Sequence, residues 1–267
     1  MQFDMVRSEV DEVFDVLASR ADVLEAVVRR PRTTAELTSG LPVSRSTVDR
    51  GLRELERVGF IETTDGVHHP TLAGRIALDT YSQFVECLDD IDAAAAVLDS
   101  LDSNAPLAPV FLDGCEVVAV DDGGPGPALS KLTSFVEGST SIRGCVRGAL
   151  PSQVDAYYRA VVEDGTPVDL VATDDVVQRL VTAYRPQLAE AWSVSSFSLR
   201  SVESLPYSLV VSDLPDGPVA FLVAYSESGL AGVIYNESPS AVSWASQRIE
   251  NCRADASPLP RPPVDER

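Results

Sequence analysis

Residues 41–62 read LPVSRSTVDRGLRELERVGFIE, and this stretch decides the fold of the N-terminal part. Pro42, just after Gly40-Leu41, breaks any preceding helix. Ser44 is a good N-cap, because its hydroxyl accepts an orphan amide of the helix it opens. The spacing predicts a helix over 45–58, with Val48, Leu52 and Leu55 at i, i+4 and i+7 as its apolar stripe. Gly59 ends that helix where a left-handed residue costs least. Phe60-Ile61-Glu62-Thr63 and Val67-His68-His69-Pro70 then read as two short strands around Asp65-Gly66, a strong hairpin-turn dipeptide.

Upstream, Val10, Val13, Phe14, Leu17, Val23, Leu24, Val27 and Val28 follow helical spacing over 8–30, and Pro31 stops that helix. Thr33-Thr34-Ala35-Glu36 matches a capping box and opens a short helix over 34–39. The order is helix, short helix, tight turn, helix, β-hairpin, which is a winged helix-turn-helix. The stretch also resembles the recognition-helix segment of archaeal winged-helix transcription regulators. The turn proline, the Ser-x-Ser-Thr-Val start and the Leu-x-x-Leu-x-x-x-Gly-Phe-Ile exit carry the resemblance.

Opposite the apolar stripe, Arg45, Ser46, Asp49, Arg50 and Arg53 share one helical face, with Thr47 beside them. A recognition helix needs such donors to reach base edges and phosphates in the major groove. Asp49 is unhelpful towards phosphate; it either orients Arg45 or Arg53 or accepts from cytosine. Thr33 and Thr34 are candidate phosphate contacts as well as caps. His68 and His69 lie in the wing, where cations meet the backbone or minor groove. Against this stands a strand with one imidazole in and one out. The same alternation argues against a metal pair.

Charge supports a nucleic-acid partner locally. Residues 29–75 hold eight Arg and six acids, a net +2, while the other 220 residues carry −22. One basic module in an acidic chain is the footprint of a double-stranded DNA contact. The whole chain has 41 acids, 20 Arg and a single Lys, Lys131, for a net charge of −20. An acidic surface almost without Lys points to a halophile, and with the resemblance to a haloarchaeal one. Four scattered cysteines form neither a zinc knuckle nor a disulfide framework. No apolar run reaches the ~18 residues of a membrane span, and the acidic start lacks a signal-peptide core, so a cytoplasmic protein is expected.

Residues 71–101 predict a long helix. Ala77, Tyr81, Phe84, Leu88, Ile91, Ala95 and Leu98 alternate at steps of four and three, an a/d seam flanked by acids. The seam marks a dimerisation helix; the alternative is a helix packed on its own chain. DSNAPLAP, residues 102–109, reads as a linker. Beyond it, strands are expected near 115–120, 142–149 and 167–172, with helices over 127–137, 152–164 and 174–190. Strands near 196–203, 207–212, 218–225 and 230–236 and a helix over 239–252 follow. The expected fold is thus mixed α/β: a winged helix-turn-helix (1–72), a long dimerisation helix with its linker (73–108), and a C-terminal α/β effector domain (109–253). The Pro-rich tail, 254–267, is expected to be disordered. The C-terminal stretch resembles the effector domain of FilR-type (methanogenesis-regulator) archaeal proteins. That resemblance rests on Arg143-Gly144, the helix from Pro151 with Tyr157-Tyr158, Leu205-Pro206-Tyr207-Ser208-Leu209, and Gly232 before the helix with Trp244. It implies a ligand-sensing or assembly module. The Gly/Pro-rich segment 122–127 departs from the pattern as a local insertion.

Enzyme readings fail. With both histidines in the wing, no Ser-His-Asp or His-Lys-Asp site can form in the C-terminal stretch. No phosphate-binding P-loop is present, and neither a cofactor nor a metal is expected. For sensing, Arg143, Arg147, Arg200, Tyr207, Tyr225 and Tyr235 form a candidate set for a small anionic or sugar-like metabolite. Arginines simply paired with this chain's acids are the competing account. The sequence therefore reads as a DNA-binding, homodimeric transcription regulator. The alternative is a transcription-associated module whose winged helix binds protein.

Overall fold

A computed structural model describes residues 2–121, 123–227 and 229–259. The chain divides into two compact units, Met1–Glu86 and Cys87–Arg267. Among the described residues, no helix is long and apolar enough to cross a membrane.

The first unit comprises α1 (Gln2–Arg29), β1 (Arg32–Thr33), α2 (Thr34–Gly40), α3 (Arg45–Arg57), β2 (Ile61–Thr64), β3 (Val67–Pro70) and the start of α4 (Leu72–Leu98). The expected caps form. Thr33 Oγ1 accepts from the Glu36 N–H while the Glu36 carboxylate accepts from the Thr33 N–H, closing the capping box on α2. Ser44 Oγ accepts the Thr47 N–H at 3.2 Å and opens α3. Val48, Leu52 and Leu55 are buried against Val23, Leu24, Val27 and Leu37, in one core with Phe60 and Ile61. Each such side chain contributes about 1.5–3 kcal/mol on burial. The wing is a three-stranded sheet in the order β1-β3-β2. Asp65 and Gly66 both have positive φ, 52° and 76°, the pairing a two-residue primed turn requires.

The second unit is an eight-stranded sheet ordered β11-β7-β6-β5-β8-β9-β10-β4. In chain order its elements are the end of α4, α5 (Pro109–Leu112), β4 (Glu116–Ala119), α6 (Gly126–Val136), β5 (Ser141–Val146), α7 (Pro151–Val162), β6 (Val168–Thr173), α8 (Asp174–Ala183), α9 (Arg185–Ser193) and β7 (Phe197–Val202). Then come β8 (Ser208–Leu214), β9 (Gly217–Ser226), β10 (Gly229–Asn236), α10 (Pro239–Asp255) and β11 (Ser257–Pro258). β5, β6 and β7 pair in parallel, and β8, β9, β10 and β4 continue antiparallel. This is the expected α/β half followed by a meander. One apolar cluster lies under α6, α7, α8 and α9, and a second lies under α10, α5 and the end of α4. Gly144 is needed where β5 meets β8: a Cβ there would sit 2.8 Å from the Leu209 carbonyl oxygen.

Four expectations change. The helix expected over 174–190 is two helices, because Pro186 cannot donate to a continuing helix and starts α9 instead. The stretch 102–109 is not a free linker: Leu101, Ala105 and Leu107 pack half-buried in the α10-side cluster, and the units divide inside α4. The tail's beginning is ordered: α10 runs to Asp255, and Ser257–Pro258 pair with Ser201 and Arg200 as an edge strand. The rest of the tail, 260–267, lies outside the described residues, as does Asp122 of the segment 122–127. Finally, the α4 seam is covered mainly at its ends, with Phe84 meeting the Phe14 ring. Ala77 and Tyr81 pack with the first unit's core and Leu98 with the α10-side cluster, while Phe84, Leu88 and Ile91 stay 47%, 48% and 39% exposed.

Candidate nucleic-acid interface

The burial of Val48, Gly51, Leu52 and Leu55 turns the opposite face of α3 outward. Arg45, Ser46, Arg50 and Arg53 are exposed there, with Thr47 and Asp49 half-buried at the margin. The Arg45 and Arg50 side chains are 80% and 71% exposed. Arg45 lies 3.9 Å from the Asp49 carboxylate, a long contact worth little at a surface. Arg53 Nε donates to the Asp49 carbonyl at 3.1 Å. Ser44 Oγ also lies within hydrogen-bond reach of the Ser46 and Thr47 hydroxyls, so this turn presents clustered hydroxyls beside the arginines.

Glu54, which sequence reasoning passed over, organises this face. One of its carboxylate oxygens accepts Arg20 Nε from α1 at 2.7 Å, and the other accepts Arg50 Nε at 2.9 Å. Hydrogen bonds from Arg20 and then Arg50 hold the Glu54 carboxyl below the usual range. Arg50 is thereby fixed through Nε. The Arg50–Glu54 spacing, i to i+4, was a signal available in the sequence. Arg20 was not, since it comes from 34 residues away.

Thr33 serves as the N-cap of α2, and Thr34 Oγ1 pairs with His68 Nε2 at 3.0 Å. The other His68 nitrogen, Nδ1, meets Thr63 Oγ1 at 2.9 Å. His68 is buried, so it is not a wing cation: the strand's alternation turns it inward, while His69 is only half-buried. Burial lowers the His68 pKa from 6.5, which keeps the imidazole neutral between its two hydroxyls.

The unfolded chain, with the higher His pKa, takes the proton first as the pH falls. Neutral His68 therefore contributes stability above about pH 6.5, and that contribution is lost as pH drops towards the lowered folded value. Wild type should melt above His68→Gln at pH 7.5, and the gap should narrow by pH 5.5. A gap that stays constant across that range would contradict the hydrogen-bonded neutral imidazole.

The candidate effector residues lie in the second unit and do not converge. Arg143 donates to Ser246 on α10 at 3.1 Å and lies 3.6 Å from Asp213. Arg147 donates to the Pro206 carbonyl at 2.6 Å. Arg200 pairs in register with Val171, and its Nε is buried without a hydrogen-bond partner. Tyr207 belongs to the α10-side cluster and bonds the Pro106 carbonyl. Tyr225 and Tyr235 pack on the other side of the sheet, where Tyr235 bonds Glu116 and stacks under Lys131. The sheet separates Arg143 and Tyr207 from Tyr225 and Tyr235; Arg147 and Tyr225 meet through Ser208, and Arg143 faces one of the chain's own acids.

Two family models match the chain. Residues 10–93 match the HVO_A0261 N-terminal domain, and residues 125–255 match the middle domain of the methanogenesis regulatory protein FilR1. No curated protein matches. Among solved structures, the archaeal chromatin protein TrmBL2 is 15% identical, covering 91% of this chain and 94% of that one at a TM-score of 0.42. The phospholipase D family member Nuc from Salmonella typhimurium is 14% identical, covering 55% and 97% at 0.40. An ArsR-like transcriptional regulator from Rhodococcus sp. RHA1 is 22% identical, covering 34% and 91% at 0.25. Scores this low leave the fold resting on the topology described above. The chain therefore joins a winged helix-turn-helix unit similar to the HVO_A0261 N-terminal domain to a unit similar to the FilR1 middle domain.

Proposed function

We propose that the chain is a sequence-specific DNA-binding transcription regulator, dimeric through α4, whose second unit senses a small molecule. The observation that carries the reading is the α3 face. Three arginines stand exposed on the outer side of a helix whose inner side is locked into a winged-helix core. Such a face presents forked donors that match guanine O6 and N7 in the major groove. The exposed middle of the α4 seam supports dimerisation, since Leu88 and Ile91 stand uncovered among acids and Phe84, although it meets the Phe14 ring, stays 47% exposed. The net charge of −20 with a single Lys supports action in concentrated salt. The size of the second unit, well beyond what a dimerising winged helix needs, supports sensing.

Selection from a random double-stranded DNA pool with the full chain tests the reading, run at increasing KCl. One motif with two inverted half-sites about one helical turn apart, ~34 Å, should be enriched. The enrichment should persist near molar KCl, although phosphate contacts weaken with salt. A pool that stays random at every salt concentration would overturn the assignment.

A further inference from the structure

The second unit holds a cavity that the arginine and tyrosine set does not use. It lies between α7, α8, α9 and the sheet, with a volume of about 100 Å³, and is open on one side. Val154, Val176, Leu180, Ala191 and Phe197 line it, with Tyr157. No charged side chain is among its described lining residues. That composition excludes the anion and the sugar considered from sequence, because neither would recover its lost hydration there.

Gln153, Tyr158, Tyr184 and Gln187 also line the cavity, with Gln153 donating to Thr133 and Tyr158 to Glu190. The Tyr157 hydroxyl has no hydrogen-bond partner among the described residues, and burial, helped by nearby Tyr225, pushes its pKa well above the usual range. Tyr225 is otherwise engaged: its hydroxyl lies 3.3 Å from Ser208 Oγ, which accepts the Arg147 N–H at 2.8 Å. Tyr157 is half-buried, and a hydroxyl without a protein partner at the wall of an apolar cavity is free to meet a ligand's polar atom. Aromatic and aliphatic walls favour a ring; the enclosed volume is below the roughly 150 Å³ of an apolar cavity that accepts benzene, so the open side must take up part of the ligand.

We propose that this cavity binds a small ring compound carrying one hydroxyl, of the phenol class. The ring lies among Val154, Val176, Leu180 and Phe197, and its hydroxyl exchanges a hydrogen bond with Tyr157. The proposal deepens the sensing role given above to the second unit and rests on it for its biological meaning. Binding itself can be read without DNA.

The test is fluorine NMR of the full chain with 4-fluorophenol, and with fluorobenzene as the probe that lacks the hydroxyl. Wild type should bind 4-fluorophenol saturably. Tyr157→Phe should weaken 4-fluorophenol about three- to tenfold, the loss of one hydrogen bond, and leave fluorobenzene unchanged. Ala191→Met, which fills the cavity, should weaken both probes more than tenfold. Non-saturable binding to wild type overturns the proposal. So does a Tyr157→Phe variant that affects both probes equally or neither, whether or not Ala191→Met folds. Saturable binding that leaves affinity for the selected DNA unchanged keeps the cavity and removes the sensing role. An empty cavity with intact DNA binding overturns the proposal and leaves the DNA-binding reading standing.

Discussion

Replacing Arg50 and Arg53 with alanine is expected to cost about 1–3 kcal/mol of affinity for the selected DNA at each position, roughly 5- to 150-fold. Glu54 takes Arg50 Nε and is itself anchored by Arg20, so Arg50 offers its terminal nitrogens in a fixed orientation. Arg53 is held by Nε on the Asp49 carbonyl. An arginine held this way loses less side-chain freedom when it pairs with a base. Both side chains are exposed, so the melting temperature should hardly move, and the loss will report contact and not folding. Fluorescence anisotropy at several KCl concentrations separates two kinds of contact. A base contact relaxes specificity at one position. A phosphate contact instead weakens all sequences alike and lowers the salt slope by about one. Unchanged affinity in both variants would remove α3 from the interface.

Putting charge into the open part of the seam is the other large effect expected. Leu88→Glu with Ile91→Glu places two carboxylates where the proposed dimer would bury apolar surface, next to Asp89, Asp90 and Asp92. Both positions are exposed in the single chain, at 48% and 39%, so its own fold has little to lose. Multi-angle light scattering should show monomers. DNA affinity should fall steeply as well, since two half-sites are no longer held by one particle. A variant that remains dimeric would move the contact away from α4.

Much of this was legible because local chemistry decided it. Ser44 caps a helix, and Gly59 and Asp65-Gly66 take positive-φ conformations that most residues avoid, so they bracket a helix and a hairpin without reference to anything distant. The same holds for Ser238-Pro239 at the start of α10. Most of what failed depended on strand order or on partners far along the chain. Arg143 meets Asp213 because β5 lies between β6 and β8, which no spacing within 142–149 reveals. Alternation said that His68 and His69 face opposite ways, but choosing the buried one required knowing that Thr34 and Thr63 converge on it. The break before Pro186 was readable and was missed, because the apolar spacing on either side continues in phase. The cavity beside Tyr157 is assembled from three helices and three strands, and no single segment carries its signature.

The central claim is that α3 reads bases in the major groove through its arginines. Methylation interference on the selected DNA tests it most directly, because dimethyl sulfate modifies guanine N7, the atom a forked arginine would contact. Methylation of one or two guanines in each half-site should block wild-type binding. Interference at a particular guanine should vanish for Arg50→Ala or Arg53→Ala, which no longer contact it. Interference absent from guanine N7, or identical in wild type and both variants, would contradict the account.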